Sequence, residues 1–217
     1  MPSLHEPPVE AGADDIHAHP RHTGIGWFDL ALALSAIFIS AVSLFVAIEH
    51  GRTERDLVAA SSWPFIRAIM DNQYGAGDDP RFAALGVSNG GVGPAKMESF
   101  EVFYRGAPVG SGLELLRRCC GLGPTVEDVK RQLPNGIRYA LTDHTVVRPG
   151  EAYATFAAPR GTEVGDRFAA AFPDITVRGC YCSILDQCFV GDLRSTRTTP
   201  IKACPEPAVR FDPNRRN

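Results

Sequence analysis

After Asp29 the chain runs nineteen residues, 30–48, without a charge, a proline or a glycine. The hydrocarbon core of a bilayer is about 30 Å thick, and a helix needs roughly 20 apolar residues to cross it. In hydrocarbon only a helix or a closed barrel satisfies every backbone N–H and C=O group internally. The run therefore predicts a single membrane-spanning helix over 28–48, with the lipid bilayer as its first partner. It separates a short tail, residues 1–26, from a larger body. Roughly 165 residues follow the span, enough for one domain with its own core.

The tail sets Glu6, Glu10, Asp14 and Asp15 against Arg21 and has no apolar periodicity, which predicts disorder. His5, His17, His19 and His22 are read as part of a solvated leader, the other reading being a weak metal-binding tract. A secretory signal carries basic residues before its apolar run and small-residue cleavage signals after it. This leader is acidic and its span is long, so an uncleaved anchor is expected.

Within the span, Ala33, Ala36, Ser40, Ser43 and Ala47 recur at spacings of three and four, one seam of a helix. Small residues let two helices approach closely in lipid, so the seam suits self-association or pairing with another span. Trp27 suits the interfacial aromatic belt. The helix continues through EHGRTERDLVAASS and should stop near Trp63, because Pro64 disfavours helix in the residue before it. A rod over residues 28–60 would be roughly 50 Å long. Residues 27–62 are thus read as span plus stalk.

The body, 63–205, reads as short strands punctuated by turns. The chain has 21 glycines and 17 prolines, the composition of many strands and loops. Strands are predicted over 63–70, 81–88, 96–104, 137–141, 145–147 and 152–157, the last two forming a hairpin around RPGE. Residues 175–190 read as a further hairpin around Asp186-Gln187, and 206–217 as a disordered end. Short helices are predicted over 111–120, capped by Ser111, and over 125–133, capped by Thr125. One or two helical turns are expected within 166–172. A parallel sheet would need a helix between most strands. The fold class expected is therefore mainly β: an Ig-like antiparallel β-sandwich with two or three short helices in its loops.

Three patches, EHGRTERDLVAASSWPF (49–65), SNGGVGPAKMESFEVFYRG (88–106) and CYCSILDQCFV (180–190), together resemble uncharacterised bacterial single-pass membrane proteins. Those carry one N-terminal helix and a β-rich domain opened by Trp-Pro. They also carry an Asn-x-Gly-x-Gly-Pro-Ala segment before a strand, which Asn89, Gly91, Gly93, Pro94 and Ala95 match. The resemblance implies architecture, a bacterial inner membrane, and no assigned activity. Charge and cysteine content disagree about which side the body occupies. Arg52, Arg55 and Arg67 follow the span against Arg21 before it, which favours the cytoplasm. Six cysteines favour an oxidising compartment. The charge count sets the expectation, a cytoplasmic body.

Few residues invite chemistry. Cys180, Cys182, Cys188 and Cys204 stand as free thiols, as disulfides joining Cys204 to Cys182 or Cys188, or as a four-thiolate zinc site. Zinc knuckles pair their cysteines as CxxC, and that pattern is missing, so no metal and no cofactor is expected. Cys119 and Cys120, being adjacent, are not expected to bond to each other. NGGVGP lacks the following helix of a phosphate loop and reads as a turn whose glycines take unusual dihedrals. Glu98 and Glu101 fall on opposite faces of a regular strand, and there is no G-x-S-x-G elbow. The net charge of −3 gives no footprint for nucleic acid. No enzyme is expected. The chain reads as a membrane-anchored interaction or scaffold protein, with Trp63, Asn89, Gly91, Gly93 and Pro94 as candidate partner contacts. The alternative is a thiol-based redox or metal sensor.

Overall fold

The structure, a computed structural model, describes residues 26–75 and 81–215. The expected loose tail and its histidines lie outside them, apart from Gly26. Two compact units divide between Arg52 and Thr53.

The first unit holds most of helix α1 (Gly26–Ser61), 36 residues long. By length and composition α1 could cross a membrane, and no other helix among the described residues is long and apolar enough to do so. A helical stretch apolar all round, as residues 30–48 are, belongs inside something, yet none of the α1 residues is buried among the described residues. Phe38, Leu44 and Phe45 are 63–69 % exposed. The small residues of the seam are exposed as well, and Ser40 Oγ donates to Ala36 C=O at 2.8 Å.

The second unit is mainly β. One antiparallel sheet has β1 (Ile66–Tyr74), β2 (Phe82–Asn89), β7 (Ala152–Pro159) and β5 (Arg138–Tyr139) in the order β1-β2-β7-β5. The other runs β10 (Thr199–Ile201), β9 (Cys188–Gly191), β8 (Ile175–Ser183), β3 (Ala95–Tyr104), β4 (Ala107–Val109), with β6 (Thr145–Val147) also on β3. Helices α2 (Gly112–Cys120), α3 (Val126–Gln132) and α4 (Glu163–Ala170) fall between strands. Ser111 caps α2, and Thr125 forms a capping box with Asp128 on α3, as their sequences predict. One core draws on both sheets and two helices: Leu85, Val87 and Phe156; Met97, Phe100, Val102 and Tyr181; Leu115, Leu116 and Phe168.

Two expectations are corrected. The RPGE turn does not close a hairpin: β6 joins β3 in one sheet and β7 joins β2 in the other. A turn that changes sheets looks the same in sequence as one that closes a ribbon. The C-terminal segment is not loose up to residue 215. Phe211 is 3 % exposed and meets Phe100 edge-to-face at 6.2 Å, and Asp212 N–H donates to Gly110 C=O. One aromatic side chain in a polar, proline-bearing stretch gives it a foothold in the core.

Candidate functional site

Asn89 ends β2 and is 1 % exposed. Its Oδ1 accepts from Phe65 N–H (3.2 Å) and Gly91 N–H (2.9 Å), and its Nδ2 donates to the carbonyls of Gly93 (2.8 Å) and Val147 (3.0 Å). All four hydrogen-bonding positions of the amide are filled inside the domain. Val92 and Gly93 N–H groups both donate to Trp63 C=O, and Gly90 N–H to Phe65 C=O. The turn therefore grips the backbone by which the chain enters the domain. None of its glycines has positive φ; Gly91 and Gly93 are needed for close approach. A Cβ on Gly91 would lie 2.6 Å from Trp63 O, and one on Gly93 would overlap the Ser62 carbonyl. Of the contacts expected here, Asn89, Gly91 and Gly93 thus have internal tasks and Pro94 is half-buried. Trp63 remains 43 % exposed, stacked on Phe65, with Val92 65 % exposed beside the same turn.

The four C-terminal cysteines converge. On β8 the core-facing residues are Ile175, Val177 and Tyr181, so Cys180 and Cys182 alternate onto the other face. The segment after β10 brings Cys204 over them. Cys180 bonds to Cys204 and Cys182 to Cys188. The partner expected for Cys204 is thereby corrected, since Cys182 is taken by the hairpin clasp. Cys182 Sγ nevertheless lies 3.9 Å from Cys204 Sγ, and the sulfurs of Cys182, Cys188 and Cys204 all fall within 4.8 Å of one another. Cys119 and Cys120 are also bonded to each other, at the end of α2, against expectation. No cysteine is a free thiol.

A third cluster was invisible to strict alternation. Between Met97 and Ser99 the β3–β8 register shifts, an extra residue in β3. The bulge moves the core face from Ala95 and Met97 to Phe100 and Val102. Glu98 and Glu101 consequently share the outer face, which corrects their assignment to opposite faces. Near them Arg210 Nη1 lies 3.4 Å from Asp143 and 2.9 Å from His144 Nε2, and His144 Nδ1 lies 3.8 Å from Glu98. Burial pushes the Asp143 carboxyl above its ordinary range, outweighing Arg210 and the Phe100 N–H, which pull it down. A carboxyl raised on folding favours the folded state in its protonated form. That contribution is complete below the unfolded value of about 3.9 and is lost as pH rises through the raised folded value. Asp143→Asn is neutral at every pH. Urea unfolding should therefore show wild type less stable relative to this variant at pH 7 than at pH 4. An unchanged difference would reject the assignment.

Sequence reasoning also missed a cleft of about 360 Å³ lined by Leu113, Arg117, Val126, Val129, Ile137 and Tyr139. Its walls come from α2, α3, β5 and the C-terminal segment, which no local pattern links. No family model, curated protein or solved structure matches this chain.

Proposed function

We propose that this chain is a single-pass membrane protein whose α1 anchors a mainly β interaction module, an Ig-like sandwich that binds a protein partner. The observation that carries this reading is α1: it is long enough to span, its residues 30–48 carry no charge, and none of its residues is buried among the described residues. Small residues at Ala33, Ala36, Ser40, Ser43 and Ala47 suit close packing of α1 with a second span. The module's contact surface is the exposed Trp63 and Val92 around the entry turn, a residue type enriched at binding hot spots beside an apolar neighbour. The resemblance to bacterial single-pass proteins agrees with an inner-membrane location.

We further propose that the module faces the oxidising side, opposite to what the arginine count favours. An excess of two arginines is a small bias for a long domain, whereas three disulfides persist only where thiols are not kept reduced. Two measurements test the proposal. Full-length protein should pellet with membranes from detergent-free lysate and resist carbonate extraction at its uncleaved mass. A cysteine introduced at exposed Thr196 should then react with an impermeant maleimide in intact spheroplasts. Recovery in the supernatant rejects the anchor; protection from the maleimide rejects the orientation.

The thiol-sensor reading is favoured by one observation, three sulfurs within 4.8 Å. Reduced, such a set offers soft ligands at about the separation a tetrahedral zinc site uses.

A further inference from the structure

We infer that the four C-terminal cysteines form a disulfide-exchange site, in which reduction at Cys204 is passed to the hairpin clasp by a Cys182–Cys204 bond. The inference deepens the thiol reading and rests on it; it is independent of the anchor. Cys180, Cys182 and Cys188 are 1 %, 5 % and 7 % exposed, while Cys204 is only half-buried. Of the two disulfides, the one that includes Cys204 is therefore the one a solvent-borne thiolate meets. Exchange requires an attacking sulfur next to the sulfur it attacks, and Cys204 Sγ stands 3.9 Å from Cys182 Sγ, close to van der Waals contact.

The substrate class is a dithiol reductant. Its thiolate attacks Cys204 Sγ, the Cys180–Cys204 bond breaks, and Cys180 leaves as a thiolate that takes up a proton. The reductant's second thiolate closes its own disulfide and releases Cys204 as a thiolate. The reductant has lost two electrons and the protein has gained them. Cys204 then attacks Cys182 Sγ, forming Cys182–Cys204 and expelling Cys188 as a thiolate, which is protonated. This second step moves no net electrons. Lys96, opposite Cys182 in the β3–β8 register and ion-paired with Asp186, sets a cation on the face where these thiolates form. The exchange opens the clasp across the turn bearing exposed Ile184 and Leu185 while Cys204 keeps the C-terminal segment tied.

The test is limited reduction of the full chain in detergent by dithiothreitol, with acid quenching, maleimide labelling and peptide mapping by mass spectrometry. The expected two-electron product has a Cys182–Cys204 link, with label on Cys180 and Cys188. A product labelled on Cys180 and Cys204, or on Cys182 and Cys188, with no Cys182–Cys204 link at any time, overturns the exchange but leaves a reducible sensor. Absence of label on all four overturns both. Conversion directly to four thiols, with no two-electron product, overturns the exchange. In Cys188→Ser, Cys182 begins as a thiol beside the intact Cys180–Cys204 bond. Label should divide between Cys182 and Cys180; label confined to Cys182 overturns the inference.

Discussion

Gly93→Ala is expected to lower the melting temperature of the β domain by about 8–16 °C, whereas Gly90→Ala, three residues earlier, is expected to be nearly silent. A Cβ at position 93 would occupy the Ser62 carbonyl, and its next neighbours are also Ser62 backbone. Backbone cannot swing aside as a flexible side chain can. Relief requires the turn to lift from the 62–65 segment. Lifting weakens the Val92 and Gly93 bonds to Trp63 C=O and strains the four bonds of Asn89. Overpacking costs about 1–3 kcal/mol, and each compromised internal hydrogen bond adds about 1 kcal/mol. Together these reach roughly 4 kcal/mol, against a typical domain stability of about 5–15 kcal/mol. At position 90 the new Cβ would meet Phe65 Cδ1 at 3.6 Å and Phe65 O at 3.9 Å, both ordinary contacts. Thermal denaturation of both variants decides the matter. Equal melting temperatures would show that the turn does not clamp the entry segment.

That pair of glycines also shows how far a sequence can be read. The turn itself was legible, because Asn-Gly-Gly between two apolar runs has few other uses. Its reason was not. Conformational freedom and close approach both select glycine, and only the second needs to know that Ser62 and Trp63 lie against it. Most strands and helices α2 and α3 were legible for the same local reasons, alternation, caps and proline, whereas α4 begins three residues before the turns expected over 166–172, at a Thr162 cap. The C-terminal end of α1 was legible because Pro64 acts on its immediate neighbour. What escaped reading was non-local. The sheet change at RPGE, the pinning of Phe211 and the cleft beside α2 depend on segments far apart in the chain.

The clusters divide along the same line. Cys180 and Cys182 were legible as sharing a face, since a strand repeats every two residues. Their partners were not, because the loop that returns Cys204 has no periodicity. Glu98 and Glu101 were misplaced by one inserted residue: a bulge reverses every later side chain, and the sequence of β3 gives no glycine to mark it. The result is a face on which Glu98, His144 and Arg210 stand in contact distance.

Removing the Cys180–Cys204 bond as Cys180→Ser/Cys204→Ser should lower domain stability by about 3.5 kcal/mol, and removing the Cys182–Cys188 bond by about 2 kcal/mol. A cross-link chiefly restricts the unfolded chain, and by more for a longer loop. The two bonds span sequence separations of 24 and 6, and the chain-entropy relation gives those two figures. Double substitution leaves no odd thiol to re-pair. For a domain of this size each kcal/mol moves the melting temperature by about 2–4 °C, so the first variant should melt about 10 °C lower. The larger loss should follow from the position of Cys204 as well as from loop length. Beyond it the Arg210–Asp143 pair and Phe211 hold the last residues on the domain. Without the bond the segment is retained only by the β10–β9 pairing at its start and, near its end, by the contacts of Arg210, Phe211 and Asp212. Melting of both variants without reductant is the measurement. If the Cys182–Cys188 variant melts lower, loop entropy does not govern these bonds, and Cys204 is not what fixes the C-terminal segment.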